Sequence, residues 1–470
     1  MTASFAARRR RILAHAGMAL ATGLALAACQ PAGPYESPRF GFSGGYKATS
    51  RAVPVLLANS AWWERLGDPM LNRLVAEALR GSPSISAAQA RITQARAAFA
   101  ATPGAFSLTS GLGLNLAGST NSDGTSVGGT AELGFSWLLD PYGARRAERA
   151  AAGARITVVE AETDAARLAL IRAMATAYVE LRHSQRRLAL HEQEMRNRRQ
   201  TLALTRTLFA AEAATRLDIV RSEGRMAEIE AELPLRRAAI KARQNEIAVL
   251  AGVAPGGLGQ FGLNLDVQSD QPRPALSPDV GIPADLLRNR PDIRIAERRY
   301  YIAIADLGQA RAALYPRLSL VGTLTAAGRR GGNSGSEYFF GPALQLPVLP
   351  VAQARAQVDG ARAQVAEAHA IWKSTVLSAL LEVENALIDY SATSASAQAS
   401  DKAVRLYREA LDLTRKVFEQ GDATLGDLID AEQALAGAEQ TRADMRLRWG
   451  QSFVDLNTRL GAGHAALAQK

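Results

Sequence analysis

"FSLTSGLGLNLAG" occupies residues 106–118. Phe106, Leu108, Leu112, Leu114 and Leu116 fall on even positions, while Ser107, Thr109, Gly111, Gly113 and Asn115 fall on odd ones. Alternation with period two predicts a strand with one apolar and one polar face. "NSDG" (121–124) supplies turn chemistry. Ala131, Leu133, Phe135 and Trp137 then alternate with Thr130, Glu132, Gly134 and Ser136. The device returns later. Leu318, Leu320 and Leu324 alternate with small or polar residues, "GRRGGNSGSE" (328–337) makes a loop, and "YFFGPALQLP" (338–347) runs back.

Strands of about 9–11 residues with one apolar face suit a transmembrane β-barrel. Two hairpins give only four strands per chain, and four strands leave two open edges. Lipid offers no partner for the bare N–H and C=O groups of an edge. Either the hairpins join a soluble sheet, or several chains share one barrel. The smallest common barrel has about eight strands, so two chains are the minimum, and three would supply twelve.

The regions between the strand pairs read as helix. From Ala154 to Glu223 no Gly or Pro occurs in 70 residues, and from Ala361 to Gln420 none occurs in 60. Both runs are rich in Ala, Arg, Glu, Leu and Gln, which are strong helix formers. Leu170, Met174, Ala177, Tyr178 and Leu181 recur at three- and four-residue spacing. A 60-residue helix is roughly 90 Å long, far beyond the ordinary globular range, and implies coiled-coil packing. "AAEAATRLD" (210–218) and "EQGDATLGD" (419–427) interrupt the runs and predict the far turns of two helical hairpins. Gly421 eases one turn, and Asp218 and Asp427 are placed to cap the returning helices. Pro234 predicts a kink or break in the first return helix.

The chain is also written twice. Pro83, Ile85 and Ala88 align with Pro291, Ile293 and Ala296, and Gly252 aligns with Gly461. Offsets near 208 residues hold over most of the chain, too long for a solenoid unit. The expected organisation is a first repeat at 59–262, with strands about 105–139 and a helical hairpin about 141–252. A linker follows at 263–283. The second repeat covers 284–461, with strands about 317–347 and a hairpin about 351–460, and 462–470 is a tail. Ile85 to Pro103 spans 18 positions against 23 from Ile293 to Pro316, so the first pre-strand helix is expected to be shorter by a turn or more.

The front end predicts an address. Arg8 to Arg11 precede the apolar "ILAHAGMALATGLALAA", the pattern of a secretory signal peptide over residues 1–28. Leu26-Ala27-Ala28-Cys29 is similar to the bacterial lipoprotein box, so Cys29 becomes the acylated first residue, and 29–58 a lipid-anchored segment. The resemblance implies that Gln30, not being Asp, leaves the product free for the outer membrane. Cys29 is the one cysteine in 470 residues, which excludes internal disulfides and thiolate metal sites. Formal charge is +10, and +6 once the four signal arginines are gone. That mild excess forms no dense basic block of the nucleic-acid-binding kind.

Several stretches now carry a family resemblance. They are "WWERLGDPMLNRLVAEAL" (62–79), "LLDPYGARRAERAAAGARI" (138–156), "LLRNRPDIRIAERRYYIAIADLGQARAALYPRLSLVG" (286–322), "LQLPVLPVAQARAQVDGARAQV" (344–365), "EVENALIDY" (382–390) and "FEQGDATLGDLIDAEQAL" (418–435). Together they resemble the outer membrane efflux proteins, the TolC-like channels and in particular the acylated OprM/NodT-type lipoproteins. The resemblance implies a mostly helical chain with a β-barrel part. It implies a homotrimer with one 12-stranded barrel in the outer membrane of a Gram-negative bacterium and a helical cylinder across the periplasm. The partners it implies are a periplasmic adaptor and an inner-membrane pump, of RND type. The duct itself would be passive and no enzyme, with no cofactor beyond the lipid on Cys29. The family closes its periplasmic tip with inward acidic residues. The matching position is Asp430, with Asp427 one turn earlier on the same face. Gly426 stands where the family often has an apolar residue, and Leu425 is the substitute. Thr215, Asp218, Thr424 and Asp427 mark the hairpin tips expected to meet the adaptor. "LPVLP" (346–350) departs from the family's glycine-bearing turn into the long helix.

Other signals are weaker. "GLGQFG" (257–262) fits G-x-G-x-x-G but lacks the strand before it and helix after it that a nucleotide loop needs. His183 and His191 read as helix-surface residues rather than zinc ligands. Trp62 and Trp63 precede a helix and are expected to pack in a compact region, whereas Tyr338, Phe339 and Phe340 suit an aromatic belt at a lipid boundary. Four functions compete: an efflux duct, a type I protein-secretion duct of the same architecture, a structural lipoprotein that merely spans the periplasm, and, weakest, an enzyme, for which no nucleophile–base arrangement with supporting context speaks. A spacer has no use for four amphipathic strands, and the lipid box favours efflux over secretion.

Overall fold

A computed structural model describes residues 38–41, 45–47, 57, 60–104, 106–118, 125–274, 283–329, 334–347 and 351–465. The signal segment 1–28, Cys29 and the Val348–Pro350 part of "LPVLP" lie outside the described residues. The elements in chain order are α1 (Pro69–Gly81), α2 (Pro83–Ala100), β1 (Phe106–Gly118), β2 (Thr125–Leu139), α3 (Ala144–Ala210), α4 (Arg216–Leu250), α5 (Leu286–Asn289), α6 (Pro291–Ala312), β3 (Arg317–Arg329), β4 (Gly335–Gln345), α7 (Val351–Glu419) and α8 (Leu425–Arg459). The helix before the first strand pair has 18 residues and its counterpart 22, a difference of about one turn. No described helix is long and apolar enough to cross a membrane.

The chain forms two compact units, each drawing on both halves of the sequence. The first comprises the described residues within 92–159 and 295–373. Its sheet has the order β1-β2-β3-β4, antiparallel throughout. Residues opposite one another share a face. One face therefore collects Phe106, Leu108 and Leu112 from β1, and Leu133, Phe135, Trp137 and Leu139 from β2. Leu318, Leu320 and Leu324 from β3, and Tyr338, Phe340 and Leu344 from β4, complete it. Leu112 is 83% exposed and Tyr338 84%, so nothing among the described residues covers them. At the foot of the sheet Tyr142 stacks on Tyr315 with ring centroids 4.4 Å apart. Arg149 lies over the Phe99 ring at 4.9 Å, a cation–π contact between α3 and α2.

The second unit comprises residues 40–91, 160–294 and 374–470. Trp62 and Trp63 are almost fully buried there. Trp62 packs edge-on to Trp63 and Phe453, and its Nε1 donates to the Ala462 carbonyl at 3.2 Å. Asp68 caps α1 by accepting from the Met70 amide at 3.0 Å. Its second oxygen accepts from the Tyr178 hydroxyl, and Arg182 stands 3.6 Å away. Arg182 also donates to the Val267 carbonyl at 2.7 Å, and Gln185 to that of Leu265 at 2.6 Å. These bonds strap the segment between the two sequence halves onto α3. Arg290, mostly buried, pairs with Glu382 at 2.9 Å, and the other Glu382 oxygen takes Arg459 at 2.9 Å. Two of the family-like stretches, at 286–322 and 382–390, meet through that carboxylate.

Pro234 does not break α4, which runs unbroken from Arg216 to Leu250. Proline removes a single amide donor, and Leu233 and Ile240 keep the helix packed on either side.

Two glycines fix the ends of the return helices. Gly252 has φ +83° and Gly461 φ +71°. A Cβ on Gly252 would lie 2.2 Å from the Gly81 carbonyl oxygen, and one on Gly461 would lie 2.5 Å from that of Asn289. Backbone cannot retreat as a flexible side chain can, so Gly252→Ala and Gly461→Ala should each cost about 2–4 kcal/mol. Denaturant unfolding of the purified protein checks this, and an unshifted midpoint would contradict it.

Candidate functional site: the hairpin tips

The far turn of each hairpin is built by the same local chemistry. α3 ends when the Ala213 amide donates back to Leu208 at 2.8 Å, and α7 when Asp422 donates to Val417 at 3.0 Å. Such six-residue closures require a left-handed residue just past the helix. Gly421 fills that position in the second tip at φ +84°. In the first tip it is Glu212, at φ +59°, a conformation costly for a residue with a Cβ.

The return helices then start with reciprocal caps. Thr215 and Thr424 are the N-caps. The Asp218 amide donates to Thr215 Oγ1 at 3.3 Å, and Asp218 Oδ2 accepts from the Thr215 amide at 2.9 Å and hydroxyl at 2.6 Å. The second tip matches: Asp427 amide to Thr424 Oγ1 at 3.2 Å, and Asp427 Oδ2 from the Thr424 amide at 2.8 Å and hydroxyl at 2.6 Å. Threonine is thus the cap and aspartate the third helical residue of a capping box, which corrects the expectation that the aspartates themselves cap. The threonine hydroxyl, then the threonine amide, hold Asp218 and Asp427 below the usual carboxylate range.

These bonds separate the two candidate gate acids. One Asp427 oxygen is committed to its own helix start. Asp430, exposed, makes no hydrogen bond or ion pair among the described residues. Both lie on an exposed polar stripe of α8 that continues through Gln433, Gly437 and Thr441. Leu428 is buried, and Leu425 is half-buried. Glu432, one turn up on another face, is tied to Arg415 at 3.3 Å and Thr201 at 3.2 Å.

Of the two histidines of α3, His183 is half-buried and His191 is not a surface residue. His191 is buried, 3.4 Å from Glu232, with neither ring nitrogen hydrogen-bonded. Burial, then the charge of Arg236, lowers its pKa. His183 Nε2 meets Asp444 at 2.8 Å. Among the described residues no three side chains gather as a metal site. Sequence reasoning also missed the Asp68–Tyr178–Arg182 cluster. Asp68 before Pro69 signals a helix cap, but nothing local reveals a partner 110 residues away.

The family's sequence model, described as "Outer membrane efflux protein", matches residues 74–253 and again 282–462. The chain belongs to that family. It is accordingly an outer membrane protein, and members similar to it serve efflux. Nodulation protein T of Rhizobium leguminosarum bv. trifolii is 34% identical, covering 91% of this chain and 92% of its own. Outer membrane protein OprJ of Pseudomonas aeruginosa is 29% identical over 95% of each chain. The solved outer-membrane channel OprN is 28% identical and superposes with a TM-score of 0.82, over 93% of this chain and all of its own. The likeness to the OprN channel confirms a mostly helical chain carrying one small antiparallel sheet.

Because both aspartates titrate below their unfolded value, their contribution is present above the ordinary carboxylate range. It is lost as pH falls through the lowered folded value. Tip capping should therefore persist through mild acidification and fail only under strong acid. Thr424→Ala should speed amide exchange in the first turn of α8 about fivefold at neutral pH. Exchange mass spectrometry reads both, and unchanged first-turn protection in Thr424→Ala would contradict the capping account.

Proposed function

We propose that three copies of this chain form the outer membrane duct of a tripartite efflux system. Each would contribute four strands to a 12-stranded barrel, with the uncharged face toward lipid and the polar face toward water. The duplicated helical hairpins would close a periplasmic cylinder in the same threefold way. The observation that carries this reading is the sheet: four strands, uncovered on its apolar face, with two unpaired edges in the single chain. Only sister chains can satisfy those edges in a bilayer. The two matches to the family, and the paired geometry of Gly252 with Gly461 and Thr215 with Thr424, support the duplication.

The duct hydrolyses nothing. A periplasmic adaptor would engage the tips around Thr215, Asp218, Thr424 and Asp427, and an inner-membrane pump, of RND type, would supply the energy. Acylated Cys29 would anchor the chain to the membrane. Its cargo would be drugs or other small toxic compounds. Membership of the outer membrane efflux protein family supports this over protein secretion.

Asp430 would form the constriction. Three unpaired carboxylates at one level favour cations and repel anions, while Asp427 is held by its cap and Leu425 narrows the passage beside them. Purified protein should run in detergent at three chain masses and form stable pores in planar bilayers. Asp430→Ala should raise single-channel conductance or weaken its cation preference. Unchanged conductance and selectivity would remove Asp430 from the gate, and a monomer without pores would overturn the duct.

A further inference from the structure

The middle of the first hairpin holds an arrangement that neither the sheet nor the tips use. His191 of α3 is 5% exposed, and neither ring nitrogen has a hydrogen-bond partner among the described residues. A neutral imidazole carries one N–H and one acceptor nitrogen, so a dry, unmatched ring is costly where it stands. The nearest group of opposite sign is Glu232 of α4, 3.4 Å from Nε2. That carboxylate is already engaged, because Arg236 donates to it at 2.5 Å from one turn further along α4. Arg236 Nε is itself buried without a partner among the described residues.

Glu232 and Arg236 stand on either side of Pro234. Proline has no amide proton, so the helix bond from residue 234 to the Glu230 carbonyl is missing. The clasp between 232 and 236 therefore spans the one turn of α4 that lacks a backbone bond.

The charges around the ring are unbalanced. α4 brings Glu232 and Arg236, and α3 brings Arg187 one turn before the ring. The next acids on α3 face other cations: Glu192 meets Arg237 at 3.4 Å, and Glu194 meets Arg198 at 3.8 Å. From α8 comes Asp444, which is bound to His183 at 2.8 Å and stands 3.8 Å from Arg187. Burial, Arg236 and Arg187 all disfavour a charged ring, and Glu232 alone favours it.

We infer that His191, set against the Glu232–Arg236 clasp across Pro234, is a proton-operated hinge that loosens the α3–α4 seam in mild acid. At neutral pH the ring is uncharged, the clasp is closed and the helices stay packed. A proton on the ring either draws Glu232 away from Arg236 or drives the ring toward water. Both events open the seam beside the turn that lacks its bond. Because the packed ring titrates below the ordinary imidazole value of 6.5, the opened form takes the proton first. Opening therefore gains as pH falls below 6.5 and stops gaining once pH passes the lowered value of the packed ring. The device lies within one hairpin of one chain, so it does not depend on the trimeric duct.

The second hairpin lacks it. The tip caps Thr215 and Thr424 are 209 residues apart, and both return helices keep that offset. At the same offset Ser400, Thr441, Ala443 and Met445 replace His191, Glu232, Pro234 and Arg236. Ser400 is buried too, but its hydroxyl donates to the Ala397 carbonyl at 2.7 Å. The duplication thus supplies an internal control.

Hydrogen exchange of the full chain in detergent, read by mass spectrometry and corrected for the chemical exchange rate at each pH, tests the hinge. Between about pH 7.5 and about pH 5.5, peptides covering 187–195 and 229–240 should lose protection about three- to tenfold, since opening gains at most about tenfold per pH unit below the ordinary imidazole value. The matching peptides of the second hairpin, 396–404 and 438–449, should keep theirs. His191→Phe removes the titrating group and should abolish the loss, and His191→Gln does the same should the larger ring disturb packing. Pro234→Ala restores the missing backbone bond and should shrink the loss. Unchanged protection in the first hairpin, an equal loss in both hairpins, or an acid response that survives both His191 substitutions would overturn the hinge. So would a response of full size in Pro234→Ala. Pore formation by the wild-type chain reports on the duct separately, so either account can fail without the other.

Discussion

The rest of the structure depends on the unmatched backbone of β1 and β4. Each outer strand offers a row of amide and carbonyl groups that no other strand among the described residues pairs. In water such an edge invites aggregation, and in lipid it is costlier still. Proteins that keep bare edges usually shorten them, charge them or cover them. Here β1 and β4 are 13 and 11 residues long, with Leu112 and Tyr338 standing almost free. Such a sheet makes sense as a segment of a larger closed wall.

The helical part follows from a different constraint. Helices of 67 and 69 residues cannot bury an ordinary core, and their stability comes from side-by-side packing along their length. That packing is held in register by a few polar clamps in the compact second unit. The Asp68–Tyr178–Arg182 cluster and the Arg290–Glu382–Arg459 group are two of them. Each joins segments far apart in sequence, and each places a buried or half-buried arginine against a carboxylate. Removing one partner from such a pair leaves a stranded charge, which costs far more than a surface ion pair is worth. The hairpin tips, by contrast, are closed by local bonds alone, which leaves Asp430 free for water and solutes.

The sequence made the strands and long helices legible because both are periodic. Period two over "FSLTSGLGLNLAG" and the Gly- and Pro-free runs gave strand pairs and long helices without any knowledge of partners. Capping is only half legible: the sequence places Asp218 and Asp427 at the starts of the return helices, but whether threonine or aspartate is the N-cap depends on the residue at which the helix begins. The burial of His191 was hidden because a histidine on an amphipathic helix looks the same whether its neighbour is water or a second helix. The persistence of α4 through Pro234 was hidden for a related reason, since tertiary packing outweighs one lost hydrogen bond. Asp68 with Tyr178 could not be read at all, because contact across 110 residues leaves no local trace.

The central claim is that the sheet's edges are completed by sister chains, and cysteine cross-linking tests it most directly. In a Cys29→Ser background, Ser107→Cys on β1 and Ala343→Cys on β4 lie near the same end of the sheet's two outer strands. Treatment of membranes with a short bifunctional thiol reagent should convert the chain to covalent dimers and trimers, with no larger species. A chain that stays monomeric under these conditions, or a ladder extending beyond trimer, would contradict the account.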